Sequence, residues 1–333
     1  MKKYAKNINK LLLILPQSLL LIILLGCSTG YNIYYNTITY DGLANIGIIQ
    51  LVEHPALDDS REGFISGIKS RGINVKIHYY NAQGDNSTLS TIAQRFVNNN
   101  MDLIHAIATN AVATVAAETE TIPIVAGSIT DFITPNFAIS NEEPGFNITG
   151  TSALMPVYRN IDMILEFMPQ VETIGILFTS SEPNSVYHTQ LAKAASEERG
   201  LTVELGSITN VNELQQVANF ISERVDVIYI PTDNTIANAF GVVVGVSQET
   251  HIPIFTADTS LTLQGGVATL SIDWYTLGRM AGYMAADILL GIQEPATTPI
   301  YFPTTFEYTV NATIAEEFGL TIPKRLADFV VFP

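Results

Sequence analysis

The sequence predicts an α/β protein with two lobes, each a doubly wound parallel sheet, joined by a multi-strand hinge. Three observations support this fold class. Short runs of β-branched and apolar residues alternate with longer segments whose apolar residues recur at helical spacing. This alternation stops near Pro156 and then starts again. Both halves also place polar residues directly after their predicted strands, as ligand-binding α/β proteins do.

The first half alternates strand and helix from residue 45 onward. The apolar run at 46–52 is typical of a strand buried on both faces of a sheet. A helix is predicted over 58–71, with Asp58 or Asp59 as its N-cap and Gly72 as its stop signal. Further strands are predicted at 75–80, 103–108 and 122–126, and further helices at 89–98 and 111–118. This βαβαβαβ order favours a parallel sheet.

The second half repeats the pattern after Pro156, with a helix at 157–168 that ends before Pro169. The later strands are predicted at 173–178, 202–205, 225–230 and 252–255, and the later helices at 186–199, 214–221 and 236–249. The tail adds strands at 267–272 and 304–310 and helices at 277–288 and 312–318. A tail shared by both lobes implies several chain crossings, which form a hinge. The predicted first lobe comprises 45–150 and 267–297, and the second comprises 151–266 and 298–333.

Matching polar residues follow corresponding strands in the two halves. Thr109-Asn110 follows a strand in the first half, and Thr232-Asp233-Asn234 follows one in the second. Asp131 and Asp258 each follow the next strand along. Because ligands bind outside the carboxyl ends of parallel strands, we expect these residues to face one another across a cleft. The three aspartates could alternatively act as acid–base groups, as metal ligands or as helix caps.

Composition excludes several classes of function. The chain of 333 residues has 32 acidic and 16 basic side chains, and its net charge of −16 disfavours nucleic acid as a partner. Its single cysteine, Cys27, excludes an intramolecular disulfide framework and a Cys-rich metal site. The five histidines lack H-x-x-x-H spacing, and there is no P-loop, no G-x-S-x-G elbow and no G-x-G-x-x-G after the first strand. We therefore predict a binding protein without catalytic residues, metal or cofactor.

Residues 1–27 are predicted to direct export. A basic start is followed by an apolar run that is shorter than a membrane span and interrupted by Pro16 and Gln17, as in a secretory signal peptide. The run ends in Leu24-Leu25-Gly26-Cys27, which resembles the bacterial lipobox and predicts lipidation at Cys27. An ordinary signal peptide and an uncleaved anchor are the alternatives. Residues 28–44 are predicted to tether the fold to the extracytoplasmic side of the cell membrane.

Several motifs resemble one family, the ABC transporter substrate-binding lipoproteins of the tryptophan/tyrosine-uptake type. They include EHPALD at 53–58, NAQGD at 81–85, SEPNS at 181–185 and PTDNT at 231–235. The resemblance implies the clamshell fold of type I periplasmic binding proteins, a monomer, and an ABC permease and ATPase as partners. It also implies an aromatic amino acid as ligand. The alternative is a surface lipoprotein that binds a nucleoside or sugar, or that senses its ligand for a receptor.

Candidate ligand-binding residues follow from the strand ends and from the resemblance. Helix N-termini after Thr109 and Thr232 are predicted to bind a carboxylate, and Asp131 is predicted to bind an ammonium group, with Asp258 as the second choice. Phe132 stands where the family commonly has proline, and it is predicted either to stack on the ligand or to pack locally. Trp274 and Tyr275 are predicted to pack. The full ligand-binding set is His54, Pro55, Ala56, Gln83, Thr109, Asn110, Asp131, Phe132, Asn184, Ser185, Thr232, Asp233, Asn234 and Asp258.

Overall fold

The structure, a computed structural model, describes Tyr40 and residues 42–333. The predicted signal peptide, the lipidation site Cys27 and most of the predicted tether lie outside the described residues. In the part of the chain that is described, no helix has both the length and the apolar character needed to cross a membrane.

The first lobe is built on a five-stranded parallel sheet with the strand order β2-β1-β3-β4-β5. Apolar side chains of β1, β3 and β4 are fully buried, as expected for strands covered by helices on both faces. Its strands are β1 Ala44–Gln50, β2 Val75–Asn81, β3 Leu103–Ile107, β4 Ile124–Ile129 and β5 Ile148–Ser152. Its first helices are α1 Pro55–Ser70, α2 Asn86–Asn98 and α3 Thr109–Glu118.

The second lobe repeats this architecture with a four-stranded parallel sheet in the order β7-β6-β8-β9. Its strands are β6 Thr173–Thr179, β7 Thr202–Ile208, β8 Val227–Ile230 and β9 Ile254–Thr256. Its helices are α4 Val157–Phe167, α5 Pro183–Glu198, α6 Leu214–Ser222, α7 Asn234–Asn238 and α8 Phe240–Thr250. Two parallel-sheet lobes confirm the predicted fold class.

The remaining elements connect the two lobes. They are α9 Thr259–Gln264, β10 Ala268–Ser271, α10 Trp274–Leu289, β11 Glu307–Asn311, α11 Ala312–Glu317 and β12 Val330–Val331. β10 pairs with β11, and its apolar side chains belong to the core of the second lobe. The predicted assignment of 267–272 to the first lobe is therefore wrong, because this strand completes the second core before the chain crosses. α10 then packs along α1 in the first lobe, and the chain returns through Tyr301, which pairs with Thr151.

Three further differences from the predicted elements are local. α1 begins at Pro55 and not at Asp58, because proline fits the first position of a helix and His54 takes the N-cap position. β5 was not predicted, because its sequence ITGTS lacks the apolar run of a buried strand. The predicted helix 236–249 is two helices, α7 and α8, that meet at Ala239.

Glycines bring α1 and α10 into backbone contact. A Cβ atom on Gly63 would lie 2.0 Å from the carbonyl oxygen of Tyr275, and one on Gly278 would lie 1.9 Å from that of Ser60. A Cβ on Gly282 would likewise meet the backbone of α1 at 2.3 Å. Since real side chains cannot approach so closely, these positions admit glycine alone. The close contact holds the first half of α10 against the middle of α1.

Candidate ligand-binding cleft

Three adjoining cavities lie between the lobes. The central cavity of about 30 Å³ is lined by residues of both lobes and of the crossing segment, among them His54, Ala56, Leu57, Ser128, Thr130, Asn184, Thr232, Asn234, Asp258 and Trp274. A side cavity of about 220 Å³ shares Thr130 and Asn184 with it and adds Thr109, Asp131, Pro135, Pro183 and Tyr187. An outer cavity of about 310 Å³ is lined by polar residues that include Gln83, Asn86, Asn110, Ser181 and Asn210.

Two hydrogen bonds join the lobes directly across this cleft. His54 Nε2 lies 3.1 Å from Asn234 Oδ1, and Asn110 Nδ2 donates to the carbonyl oxygen of Ser181 over 3.5 Å. All four residues also line the cavities. The lobes therefore stand in a closed arrangement.

The first lobe presents two helix N-termini without side-chain caps. The N-cap residues are His54 for α1 and Ala108 for α3, and neither side chain accepts a hydrogen bond from its helix. Thr109, the first residue of α3, is 4% exposed, and its hydroxyl has no hydrogen-bond partner among the described residues. No lysine or arginine of the described chain lines any of the three cavities. The donors available to an anion in this cleft are therefore helix N–H groups, hydroxyls, side-chain amides and the imidazole of His54.

Strained backbone conformations occur at the strand ends of the first lobe that lead into the cleft. Gln83, Ala108 and Ser128 follow or end β2, β3 and β4, and their φ angles are 54°, 79° and 58°. Ala108 combines its positive φ with ψ of 152°, a region that is populated almost only by glycine. Such conformations cost about 1–3 kcal/mol each and persist where the surrounding fold enforces them. The strain sets the direction in which the chain enters α3 at the cleft.

The second lobe presents buried carboxylates at its strand ends. Glu182 accepts hydrogen bonds from the N–H groups of Asn234 and Thr235 at 3.0 and 2.8 Å and from the side chains of both residues. Asp233 accepts from Ile236 N, from Ser185 Oγ, and from both the N–H and the hydroxyl of Thr179. Burial, and then the nearby negative charge of Glu182, raise the pKa of Asp233 well above its ordinary value.

These hydrogen bonds engage the backbone N–H groups at the start of α7. Contrary to the prediction for Thr232, the first turn of α7 has no free N–H group for a ligand carboxylate. Asp233 lines the central cavity, but its carboxylate is engaged in the internal network. Ser185 belongs to the same network and lines none of the three cavities, although both residues were predicted to bind ligand. Thr232 lines the central cavity, and its hydroxyl has no partner among the described residues.

The predicted ammonium ligands lie in different cavities. Asp131 lines the side cavity together with Thr109, and its two oxygens accept from Ile133 N and Thr134 N at 2.8 and 3.2 Å. Asp258 lines the central cavity and is the N-cap of α9. Trp274 Nε1 also donates to Asp258 Oδ2 over 2.6 Å. Asp258 is therefore the more fully engaged of the two carboxylates.

Phe132 lies in the core of the first lobe, where it is 1% exposed, and it lines none of the three cavities. Of the two roles predicted for Phe132, stacking on the ligand and local packing, the structure shows local packing, because the ring turns inward. The other predicted residues lie at the cleft: Ala56 and Asn184 line the central cavity, and Gln83 and Asn110 line the outer one. Pro55 is the exposed first residue of α1.

A match to a protein family decides the general functional class of this protein. The profile described as ABC transporter substrate binding protein matches residues 45–329. The chain belongs to this family. As a substrate-binding protein of an ABC transporter, it is an extracytoplasmic, ligand-binding component of transport, and its two-lobed fold is that of the type I periplasmic binding proteins.

Two relatives of this substrate-binding protein are described with an aromatic amino acid as ligand. It is 33% identical over 292 residues, 86% of this chain and 84% of the relative, to a tyrosine-binding protein of Clostridioides difficile (strain R20291). It is also similar to the ABC domain in complex with L-Trp from Streptococcus pneumonia, with a TM-score of 0.85 and 36% identity, covering 87% of this chain and 100% of that one. Structures of sugar- and polyol-binding proteins match at 13–16% identity, which shows a common fold alone.

A third relative has a different lobe arrangement. This is the ligand-free, open structure of a substrate binding protein with adhesive properties from Clostridium difficile, with a TM-score of 0.67 and 31% identity, covering 87% of this chain and 99% of that one. Although the identity and coverage are similar, the TM-score is well below that of the Trp complex. The substrate-binding protein described here thus resembles the ligand-bound relative, in agreement with its two hydrogen bonds between the lobes.

Among the cleft residues that the sequence did not predict, three bear on the chemistry of the site. Glu182 is 2% exposed and organises the start of α7, but it precedes α5, and its partners lie about fifty positions away. Tyr187 lines the side cavity from the second turn of α5, and Trp274, which packs against the core of the second lobe as predicted, also lines the central cavity. The sequence does contain a feature that indicates Trp274 as a cleft residue, because Trp274 starts a helix directly after a predicted strand.

Proposed function

We propose that this substrate-binding protein captures a free aromatic amino acid between its lobes and delivers it to an ABC permease. Capture proceeds by closure of the two lobes, because contacts from both lobes to one ligand exist only in the closed arrangement. Two relatives support this ligand class, one a tyrosine-binding protein and the other a complex with L-Trp.

One observation carries the proposal for the ligand class: the side cavity combines two oppositely polarised groups with apolar walls. Thr109 offers the uncapped N-terminus of α3 and an unpartnered hydroxyl, and Asp131 offers a carboxylate. A free amino acid carries its carboxylate and ammonium group on one carbon atom, so two such sites in one cavity suit it. Pro135, Pro183 and Tyr187 provide apolar surface for an aromatic side chain.

The outer cavity favours the alternative function. Its lining includes five side-chain amides, which suit the hydroxyl groups of a sugar or nucleoside. The five residues are Gln83, Asn86, Asn110, Asn210 and Asn238.

Thermal and chemical unfolding with a ligand panel separates the two functions. The panel contains the twenty amino acids, nucleosides and sugars, each added to the protein after removal of co-purified ligand. A ligand present at about a hundred times its Kd adds about 2.7 kcal/mol to the free energy of unfolding. We expect tryptophan, tyrosine or phenylalanine to stabilise the protein. Stabilisation by a nucleoside or a sugar alone would replace the proposed function with the alternative.

We also propose that Cys27 carries the lipid that holds the protein at the membrane. We further propose that the protein is a monomer and has no catalytic activity. The proposal is supported by the position of Cys27 directly after Leu24-Leu25-Gly26. The full-length Cys27→Ser variant should leave the washed membrane fraction and appear as soluble protein. Unchanged retention in washed membranes would show that the apolar run, and not a lipid, is the anchor. Co-purification with permease and ATPase subunits from detergent-solubilised membranes tests the partners.

A further inference from the structure

Trp274 is the only tryptophan of the chain, and it borders the central cavity. It is half-buried and starts α10, directly after the segment that leaves β10 of the second lobe. Because β10 belongs to the second core and α10 packs along α1 of the first lobe, Trp274 stands where the chain crosses between the lobes.

The indole of Trp274 is fixed by a buried carboxylate. Its Nε1 donates to Asp258 Oδ2 over 2.6 Å. Asp258 is 7% exposed, and its other oxygen accepts from Ser260 N and Leu261 N at 2.7 and 3.2 Å. The carboxylate is thus anchored to the first turn of α9 and in turn holds the indole. A hydrogen bond to a charged group is stronger than one between neutral groups, so this contact restricts rotation of the ring.

The backbone beside Trp274 is equally restricted. The glycine contacts hold the first half of α10 against the middle of α1, and Ala56 and Leu57 at the start of α1 line the same cavity as Trp274. An aromatic wall that is held at its backbone and at its ring tip loses little conformational entropy when a ligand packs against it.

We infer that Trp274 determines the specificity of the cleft for a planar aromatic ring and that Asp258 is the residue that positions its indole. This inference rests on the proposed function, and it adds the group that distinguishes aromatic from aliphatic amino acids. A flat, rigid indole contacts a second ring over a larger area than it contacts a branched aliphatic chain, and ring pairs gain stabilisation beyond their buried area. Asp131 remains the group proposed for the ligand ammonium.

Calorimetric titration of three variants with L-phenylalanine, L-tyrosine and L-leucine tests the specificity. Trp274→Leu should weaken binding of the two aromatic ligands about 10-fold and leave L-leucine affinity within about 3-fold, so that selectivity falls. Trp274→Phe keeps a ring and should retain most of the selectivity. Tyr275→Leu is the matched control, because Tyr275 is the next residue of the same helix and lines none of the three cavities.

The positioning role of Asp258 is tested in two backgrounds. Asp258→Asn should lower aromatic selectivity and shift the fluorescence emission of the single tryptophan, whereas in the Trp274→Phe background it should leave selectivity unchanged, since phenylalanine has no N–H to position. Equal losses of affinity for all three ligands in both backgrounds would show that Asp258 binds the ligand ammonium, and would overturn the positioning role.

Ligand binding by the wild-type protein tests the proposed function, and the selectivity of Trp274→Leu tests the role of Trp274. If the wild-type protein binds none of L-phenylalanine, L-tyrosine and L-tryptophan, the proposed function is wrong. If it binds L-phenylalanine and Trp274→Leu, folded by circular dichroism, retains the wild-type ratio of aromatic to aliphatic affinity, then the role of Trp274 is overturned while the proposed function stands.

Discussion

His54 Nε2, at the start of α1 in the first lobe, lies 3.1 Å from Asn234 Oδ1, at the start of α7 in the second lobe. The two residues are 180 positions apart in the sequence. Asn234 is held from its other side, because its Nδ2 donates to the buried carboxylate of Glu182 over 2.6 Å. The acceptor is therefore preorganised for His54, and the hydrogen bond stabilises the closed arrangement in particular.

We expect His54→Ala to shift the protein toward an open arrangement. One hydrogen bond contributes about 0.5–1.5 kcal/mol, so the ligand Kd should rise about 2- to 12-fold. Small-angle scattering should also show a larger radius of gyration for ligand-free His54→Ala than for the wild-type protein. His78→Ala is the control, because His78 bonds to Asn45 within the first lobe. An unchanged radius of gyration, with weaker binding, would mean that His54 acts only by touching the ligand.

Asp131→Asn should weaken binding of a free aromatic amino acid by about 2–5 kcal/mol, since the ligand ammonium would lose its charged partner in a partly dehydrated cleft. The fold should be little affected, because the amide oxygen can still accept from the N–H of Ile133 or Thr134. Calorimetry on Asp131→Asn and Asp258→Asn decides between the two carboxylates. Full affinity in the first variant with loss in the second would transfer the ammonium site to Asp258, and two unimpaired variants would exclude a free amine as ligand.

The sequence allowed prediction of the fold and of the cleft edge, because both depend on local patterns. Buried strands such as β1 and β3 are apolar runs, and polar residues such as Thr109 and Asp131 follow strands of one sheet. The side-chain direction at those strand ends depends on tertiary contacts. Phe132 and Asp131 are neighbours in the sequence, yet one fills the core and the other lines a cavity. Glu182 caps α7 from a different segment of the chain. No local pattern therefore predicts that the N–H groups at the start of α7 already have a hydrogen-bond acceptor.

Gly278→Ala should destabilise the protein severely. Its new Cβ would lie 1.9 Å from the carbonyl oxygen of Ser60, so α1 and α10 would have to separate and expose apolar surface. We expect a loss of more than about 3 kcal/mol in the free energy of unfolding, or failure to fold. Gly245→Ala is the matched control in α8, where no atom lies within 4 Å of the added Cβ. Because alanine favours helix, this variant should gain about 0.5–1 kcal/mol. Similar midpoints of urea unfolding for both variants would contradict the close packing of α1 on α10.

Two buried histidines should make the protein sensitive to acid. Burial lowers the pKa of His188 and of His105 to about 4. Neither ring nitrogen of His188 has a hydrogen-bond partner among the described residues. His105 stacks on Phe64 with ring centroids 3.8 Å apart, and its Nδ1 lies 2.7 Å from the carbonyl oxygen of Val125. Both rings are therefore held in the neutral form.

In the unfolded chain both histidines regain a pKa of about 6.5, so the unfolded state binds more protons than the folded state between about pH 4 and pH 6.5. The stabilisation from the neutral rings is complete above pH 6.5 and is lost as the pH falls toward 4, by about 3 kcal/mol for each histidine. The raised pKa of Asp233 opposes this loss over the same range, because there the folded state binds a proton that the unfolded state does not. The contribution of His188 is therefore measured as a difference: between pH 7 and pH 4, His188→Leu should lose about 3 kcal/mol less in the free energy of urea unfolding than the wild-type protein, because a similar apolar side chain cannot bind a proton. His251→Asn is the control at an exposed position with φ of 57°, a conformation that asparagine tolerates. A pH dependence in His188→Leu as steep as that of the wild-type protein would show that His188 does not contribute to the acid sensitivity.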